Sequence, residues 1–112
     1  MAGVKESQFQ RSLIKEIRDL LKDAIIMKLD SSYIQGIPDL LILYGEKWAT
    51  LECKKSQNAS HRPNQNWYVD RMNSMSFSRF VFPENKDEVI DGLIDFFKVE
   101  RKADTNEIQQ SL

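Results

Sequence analysis

The chain has 112 residues, with 16 Lys and Arg against 17 Asp and Glu, and a formal net charge of −1. That length suits one domain around one hydrophobic core, and 41% apolar with 29% charged residues is an ordinary globular balance. No apolar run approaches the roughly 18 residues of a membrane helix, MAGVKESQFQ lacks a signal-peptide core, and the near-neutral balance argues against nucleic-acid binding by overall charge while leaving room for a local basic patch.

Residues 5–22, KESQFQRSLIKEIRDLLK, place Phe9, Leu13, Ile14, Ile17, Leu20 and Leu21 at spacings of three and four. This predicts an amphipathic helix. AIIMKL (24–29) is short, apolar and partly β-branched, and reads as a strand. DSSYIQG follows as a loop with Gly36 as its hinge. DLLILY (39–44) is almost wholly apolar, the pattern of a strand buried on both faces. Gly45-Glu46 suits a type II′ turn, which wants Gly first, and WATLECK (48–54) alternates as the returning strand.

KSQNASHRPN (55–64) is a polar loop. QNWYVDRMNSM (65–75) is expected as a helix that packs through Trp67, Tyr68, Met72 and Met75. RFVF (79–82) reads as a strand ended by Pro83, and NKDEVIDGLIDFF (85–97) as a further amphipathic helix. Residues 99–112 are polar and aperiodic, so a frayed, flexible tail is expected after a domain of residues 1–98. The order is α-β-β-β-α-β-α. It predicts a single α/β domain with a mixed central sheet flanked by helices, the last strand made parallel to its neighbour by a helical crossover.

With Gly45-Glu46 as the turn, Tyr44 faces Lys47, and continuing the register brings Asp39 opposite Glu52. Their Cβ atoms then stand about 5 Å apart on one face, and Lys54, two residues on from Glu52, points the same way. Opposed carboxylates destabilise a sheet, and burial adds the loss of their hydration. A divalent cation between them reverses the sign of the interaction. One cysteine, Cys53, and one histidine, His61, exclude an internal disulfide and a Cys-based zinc cluster and count against a His-rich site. Oxygen ligands remain, and those suit Mg²⁺ or Mn²⁺. Pro38 extends Ile37 and sets where Asp39 enters the sheet.

Pro38-Asp39 followed after a hairpin by Glu52-Cys53-Lys54 resembles the signature of the PD-(D/E)XK nuclease superfamily. The VRR-NUC branch, which includes small stand-alone phage proteins, is the nearer match. It is similar at Glu6-Ser7-Gln8-Phe9-Gln10, at Gly36-Ile37-Pro38-Asp39-Leu40 and at Gln65-Asn66-Trp67, so the resemblance runs from Glu6 to Phe97. It implies a restriction-endonuclease-like core and a Mg²⁺- or Mn²⁺-dependent DNA endonuclease. Asp39 and Glu52 would hold the metal. Glu6, directly or through water, and the Cys53 backbone carbonyl would add to the metal site. Lys54 would orient the attacking water and stabilise phosphate charge, with Gln65 in support. Stand-alone members of this group act as homodimers on branched DNA such as four-way junctions, so a homodimer, DNA as partner and, for a phage-encoded chain, the host cytoplasm are implied.

Each residue also has an ordinary reading. Asp39 could simply start a strand, and Glu52 and Lys54 could be the exposed face of an edge strand. Glu6 could be a solvated helix residue, and Glu16 shares its helix but points some 80° away. Gln65 could be a plain first-turn residue. Trp67 reads as core packing, and Cys53, facing away from Glu52, as a small core residue. Lys55, His61 and Arg62 form a loop cluster that either grips phosphates or is merely solvated. Two rivals to the nuclease reading are a non-catalytic nucleic-acid-binding or assembly subunit on the same fold and a nuclease for linear or single-stranded DNA.

Overall fold

The hairpin turn sets the rest of the architecture. Gly45 has φ 62° while Glu46 stays out of the positive-φ region, which is the type II′ arrangement. It joins two strands of a computed structural model that describes residues 5–111, with side chains for 5–98. The elements are α1 (Glu6–Leu20), β1 (Ile25–Lys28), β2 (Leu40–Tyr44), β3 (Lys47–Cys53), α2 (Gln65–Met75), β4 (Phe77–Val81) and α3 (Lys86–Ser111). The expected order is found, and so is the mixed sheet. Its strands lie in the order β1-β2-β3-β4. β1, β2 and β3 are antiparallel neighbours, and β4 runs parallel to β3 across the α2 crossover.

One face of the sheet carries the core. Leu40 and Ile42 of β2 pair with Leu51 and Ala49 of β3, and all four are fully buried. They pack with Phe9, Leu13 and Ile17 of α1 and with Ile90, Leu93 and Phe97 of α3. The other face takes α2, whose Met72 sulfur accepts from the Thr50 hydroxyl at 3.5 Å. No helix among the described residues is long and apolar enough to cross a membrane.

Four sequence expectations change. β2 is buried on one face only, since Leu41 and Leu43 stay half-exposed. β4 starts at Phe77, two residues early, because Ser78 is accommodated inside by its 2.7 Å hydrogen bond with Thr50. In α2 the buried residues are Gln65 and Val69, whereas Trp67 and Met75 are 60% and 61% exposed. Residue 67 lies about 200° round the helix from residue 65, so a helix anchored through Gln65 turns Trp67 to solvent. Finally, α3 continues as backbone helix to Ser111, past its expected end at 97. The side chains of 99–112 lie outside those described, and the flexible tail remains an expectation.

Replacing Leu51 by Ala should cost about 2–5 kcal/mol through lost burial and a residual cavity. Leu20→Ala, at an exposed position, should stay within about 0.5 kcal/mol. Urea unfolding of the two variants checks this, and equal losses would contradict the assigned core.

Candidate functional site

The β2–β3 register runs from Tyr44↔Lys47 to Leu40↔Leu51, so the next facing pair is Asp39 and Glu52. Asp39 lies one residue before β2 and is fixed on both sides. Its carbonyl accepts from the Leu29 N–H at 2.8 Å, and its Oδ2 accepts from the Cys53 N–H at 2.8 Å. Pro38 is buried beside it.

Upstream, Gly36 has φ +91°, and a Cβ there would meet the Asn64 Cβ at 2.6 Å and the Pro63 carbonyl oxygen at 2.9 Å. Asn64 is itself left-handed, with φ 72°. The loop that delivers Asp39 therefore touches the turn that delivers Gln65 almost backbone to backbone. Only glycine combines that φ with that closeness.

Glu52 and Lys54 share a face of the central strand pair and are 3% and 5% exposed, which removes the edge-strand reading. Gln65 joins them. Its Nε2 donates to Glu52 Oε2 at 3.0 Å, and its Oε1 accepts from Lys54 Nζ at 2.6 Å and from the Arg62 N–H at 2.8 Å. Lys54 Nζ also donates to the Ser60 carbonyl at 3.1 Å and stands 4.0 Å from Glu52 Oε2. Glu52 Oε1 is buried with no hydrogen-bond partner. An acceptor left that way costs about 1–3 kcal/mol, more when charged.

Burial, and then the nearby Asp39 carboxylate, raise the Glu52 pKa from 4.5 to about 8, against the lowering pull of Lys54. Ionisation of this group is thus opposed well above the usual carboxylate range. Burial, followed by Asp39, also pushes the Cys53 thiol upward. That side chain belongs to the core, so only its backbone borders the site.

A cavity of about 660 Å³ opens over these groups. Asp39, Glu52, Lys54 and Gln65 line it, and Glu6 joins them from the first turn of α1. Ser32 and Gln35 line it from one loop, Lys55 and Arg62 from the other. Glu16 takes no part in that lining and is ion-paired with Lys86 at 2.9 Å. His61 is also outside it, stacked on Phe80 with centroids 4.2 Å apart and bonded to Asn66. The polar anchor that Gln65 gives α2 is the feature that sequence periodicity missed. Its signal was a glutamine opening an otherwise weakly amphipathic helix.

Among the described residues no three His, Cys, Asp or Glu side chains converge as a ready-made metal cage. The donor set is a carboxylate pair beside an open cavity. This fits Mg²⁺, which keeps several waters and takes one or two carboxylates, and the unpartnered Glu52 oxygen is an acceptor waiting for a positive partner.

No family model matches the chain, and no curated protein matches it. Solved structures do. One, described as a VRR_NUC domain, shares 22% identity at TM-score 0.63, covering 80% of this chain and 97% of its own. Another, described as a VRR_NUC domain protein, shares 19% identity at TM-score 0.66, covering 88% of this chain and 92% of its own. The chain thus shares the fold of these VRR_NUC domain structures, the fold that the resemblance implied.

The raised Glu52 pKa has a definite sign. The native state holds a proton that the unfolded chain releases near pH 4.5. This group's contribution is complete below that pH and is lost as pH rises through about 8. Chelator-treated protein should therefore lose melting temperature across that window relative to Glu52→Gln. Parallel pH profiles for the two proteins would refute a raised proton affinity at Glu52.

Proposed function

We propose that the protein is a divalent-cation-dependent endonuclease that hydrolyses DNA phosphodiester bonds, with branched DNA such as four-way junctions as its preferred substrate. The observation that carries this reading is the buried Glu52 carboxylate. One oxygen lacks a partner, and Asp39 and Lys54 stand beside it at a cavity wall. The VRR-NUC-like fold supports the same reading, and the branched-DNA preference follows the resemblance.

Asp39 and Glu52 would hold Mg²⁺ or Mn²⁺, with Glu6 and the Cys53 carbonyl as further oxygen donors from the adjoining backbone and helix. Bound there, the cation supplies Lewis acidity and lowers the pKa of water. Lys54 then acts as the protein's own charge against the phosphate. Two of its ammonium protons are occupied by Ser60 and Gln65, which fixes the amine and leaves a third for a phosphate oxygen or the attacking water. Gln65 bridges Lys54 and Glu52 by hydrogen bonds and is a positioning residue. Lys55 and Arg62 on the cavity wall, and His61 next to them in sequence, are suited to neighbouring phosphates.

Asp39→Asn, Glu52→Gln and Lys54→Ala should each lower cleavage of a labelled four-way junction by at least about a hundredfold, the loss typical of a missing charge stabiliser, while the fold persists. Cleavage should require Mg²⁺ or Mn²⁺ and should favour the junction over duplex of equal sequence. Cation-independent binding with no cutting would identify a non-catalytic subunit. Equal cutting of linear DNA would remove the branch preference.

The protein is also proposed to be an intracellular homodimer. The sheet face beside α2 exposes Ile25 and Met27 by 58% and 40%, next to half-buried Leu41, Leu43 and Trp48. None of the five is charged, so a polyanion finds no partner there. Contiguous apolar patches above a few hundred Å² mark protein interfaces, and a second copy offers the same self-complementary surface. Sedimentation should show a dimer that Ile25→Lys with Leu43→Lys converts to a monomer. A monomeric wild type at micromolar concentration would contradict it.

A further inference from the structure

A second groove of about 430 Å³ lies between α1 and the edge strand β1. Its apolar floor is Ile14 and Ile26, and its rim carries Arg11, Lys15, Arg18 and Lys28 against one acid, Asp19. Lys15 is paired with Asp19 at 3.3 Å. Among the described residues Arg11, Arg18 and Lys28 enter no ion pair. Four cations against one carboxylate is a strong local excess in a chain of net charge −1.

The spacing is equally particular. Residues 11, 15 and 18 recur at four and three, which keeps them within a narrow sector of the helix, opposite the buried Phe9, Leu13 and Ile17. They span about 10 Å of helix axis. One strand of duplex DNA presents a phosphate about every 3.4 Å of its axis, so that length matches roughly three phosphates. The same helix begins at Glu6, which lines the cavity over Asp39 and Glu52. Arg11 follows about 7.5 Å further along the axis.

We propose that the α1–β1 groove is a second nucleic-acid contact, binding the sugar-phosphate backbone of a DNA arm that leaves the cleft. The choice of DNA as ligand rests on the nuclease reading above. Arginine and lysine suit this role because their stems lie along an apolar floor while their charged ends reach phosphate. The groove reads no bases. It lends affinity and orientation to whichever arm the cleft engages.

The test is fluorescence anisotropy of a labelled four-way junction in chelator, across a series of KCl concentrations, with the full chain. The variant combines Arg11→Gln, Arg18→Gln and Lys28→Gln, three exposed positions, and its melting temperature is checked against wild type. A matched control combines Lys22→Gln, Arg71→Gln and Lys98→Gln, three exposed cations that do not line the groove. The groove variant should bind at least about tenfold more weakly at 100 mM salt, with a log–log salt slope shallower by about 2.7, at 0.9 for each lost phosphate contact. An unchanged slope and affinity would overturn the proposal, as would an equal loss in the control. Unaltered DNA binding with lost adsorption to vesicles of anionic phospholipid would overturn it in favour of a lipid surface. The binding is measured without divalent cation, so failure of the wild type to cut DNA in Mg²⁺ would sink the nuclease reading and leave the groove result intact.

Discussion

Glu52 sits on the central strand with one carboxyl oxygen held by Gln65 and the other without a donor, beside the Asp39 carboxyl group. The Asp39 carboxylate opposes its ionisation, and Lys54 comes no nearer than 4.0 Å. A scaffold that needed no chemistry at this place would be more stable with an apolar residue of similar size. A cation bound there, as proposed above, would relieve that strain.

The elements around Glu52 converge from distant parts of the chain. The type II′ turn sets a register whose last pair is Leu40 with Leu51, and its continuation brings residue 39 to residue 52. Gly36 lets the Asp39 loop rest on the turn before α2, so the acidic half and the Gln65–Lys54 half of the site share one backbone contact. Gln65 then ties α2 to β3 through Glu52 and Lys54. The hydrogen bonds that orient the site also dock the crossover helix, which couples the position of the lysine to the packing of the sheet. Three surfaces follow from this layout. The cleft is acidic at its floor and basic along one loop, the sheet face beside it is apolar, and the α1–β1 groove is cationic.

Much of this was legible before any coordinates. With Gly45-Glu46 taken as the turn, the pairing of Asp39 with Glu52 follows from counting. The helix over 65–75 and the parallel last strand followed from periodicity and from the crossover rule. What stayed hidden depended on tertiary contact. Trp67 looked like a packing residue because it is large and apolar, but α2 is rotated by the polar grip of Gln65, and the indole faces solvent. Ser78 looked like loop because a buried hydroxyl needs a partner, and Thr50, 28 residues away, supplies it. The continuous apolar run of β2 could not reveal that one of its faces lacks a cover. Glu6 and Glu16 share a helix and are separated only by tertiary contact: Glu16 is engaged by Lys86 on α3, while Glu6 borders the cavity.

The shared cation is the central claim, and anomalous scattering from crystals grown in saturating Mn²⁺ tests it most directly. The account predicts a manganese peak contacted by carboxylate oxygens of both Asp39 and Glu52, with the Lys54 ammonium close by. A peak bound elsewhere, or a Glu52 that keeps only its Gln65 hydrogen bond with no ion beside it, would contradict the account.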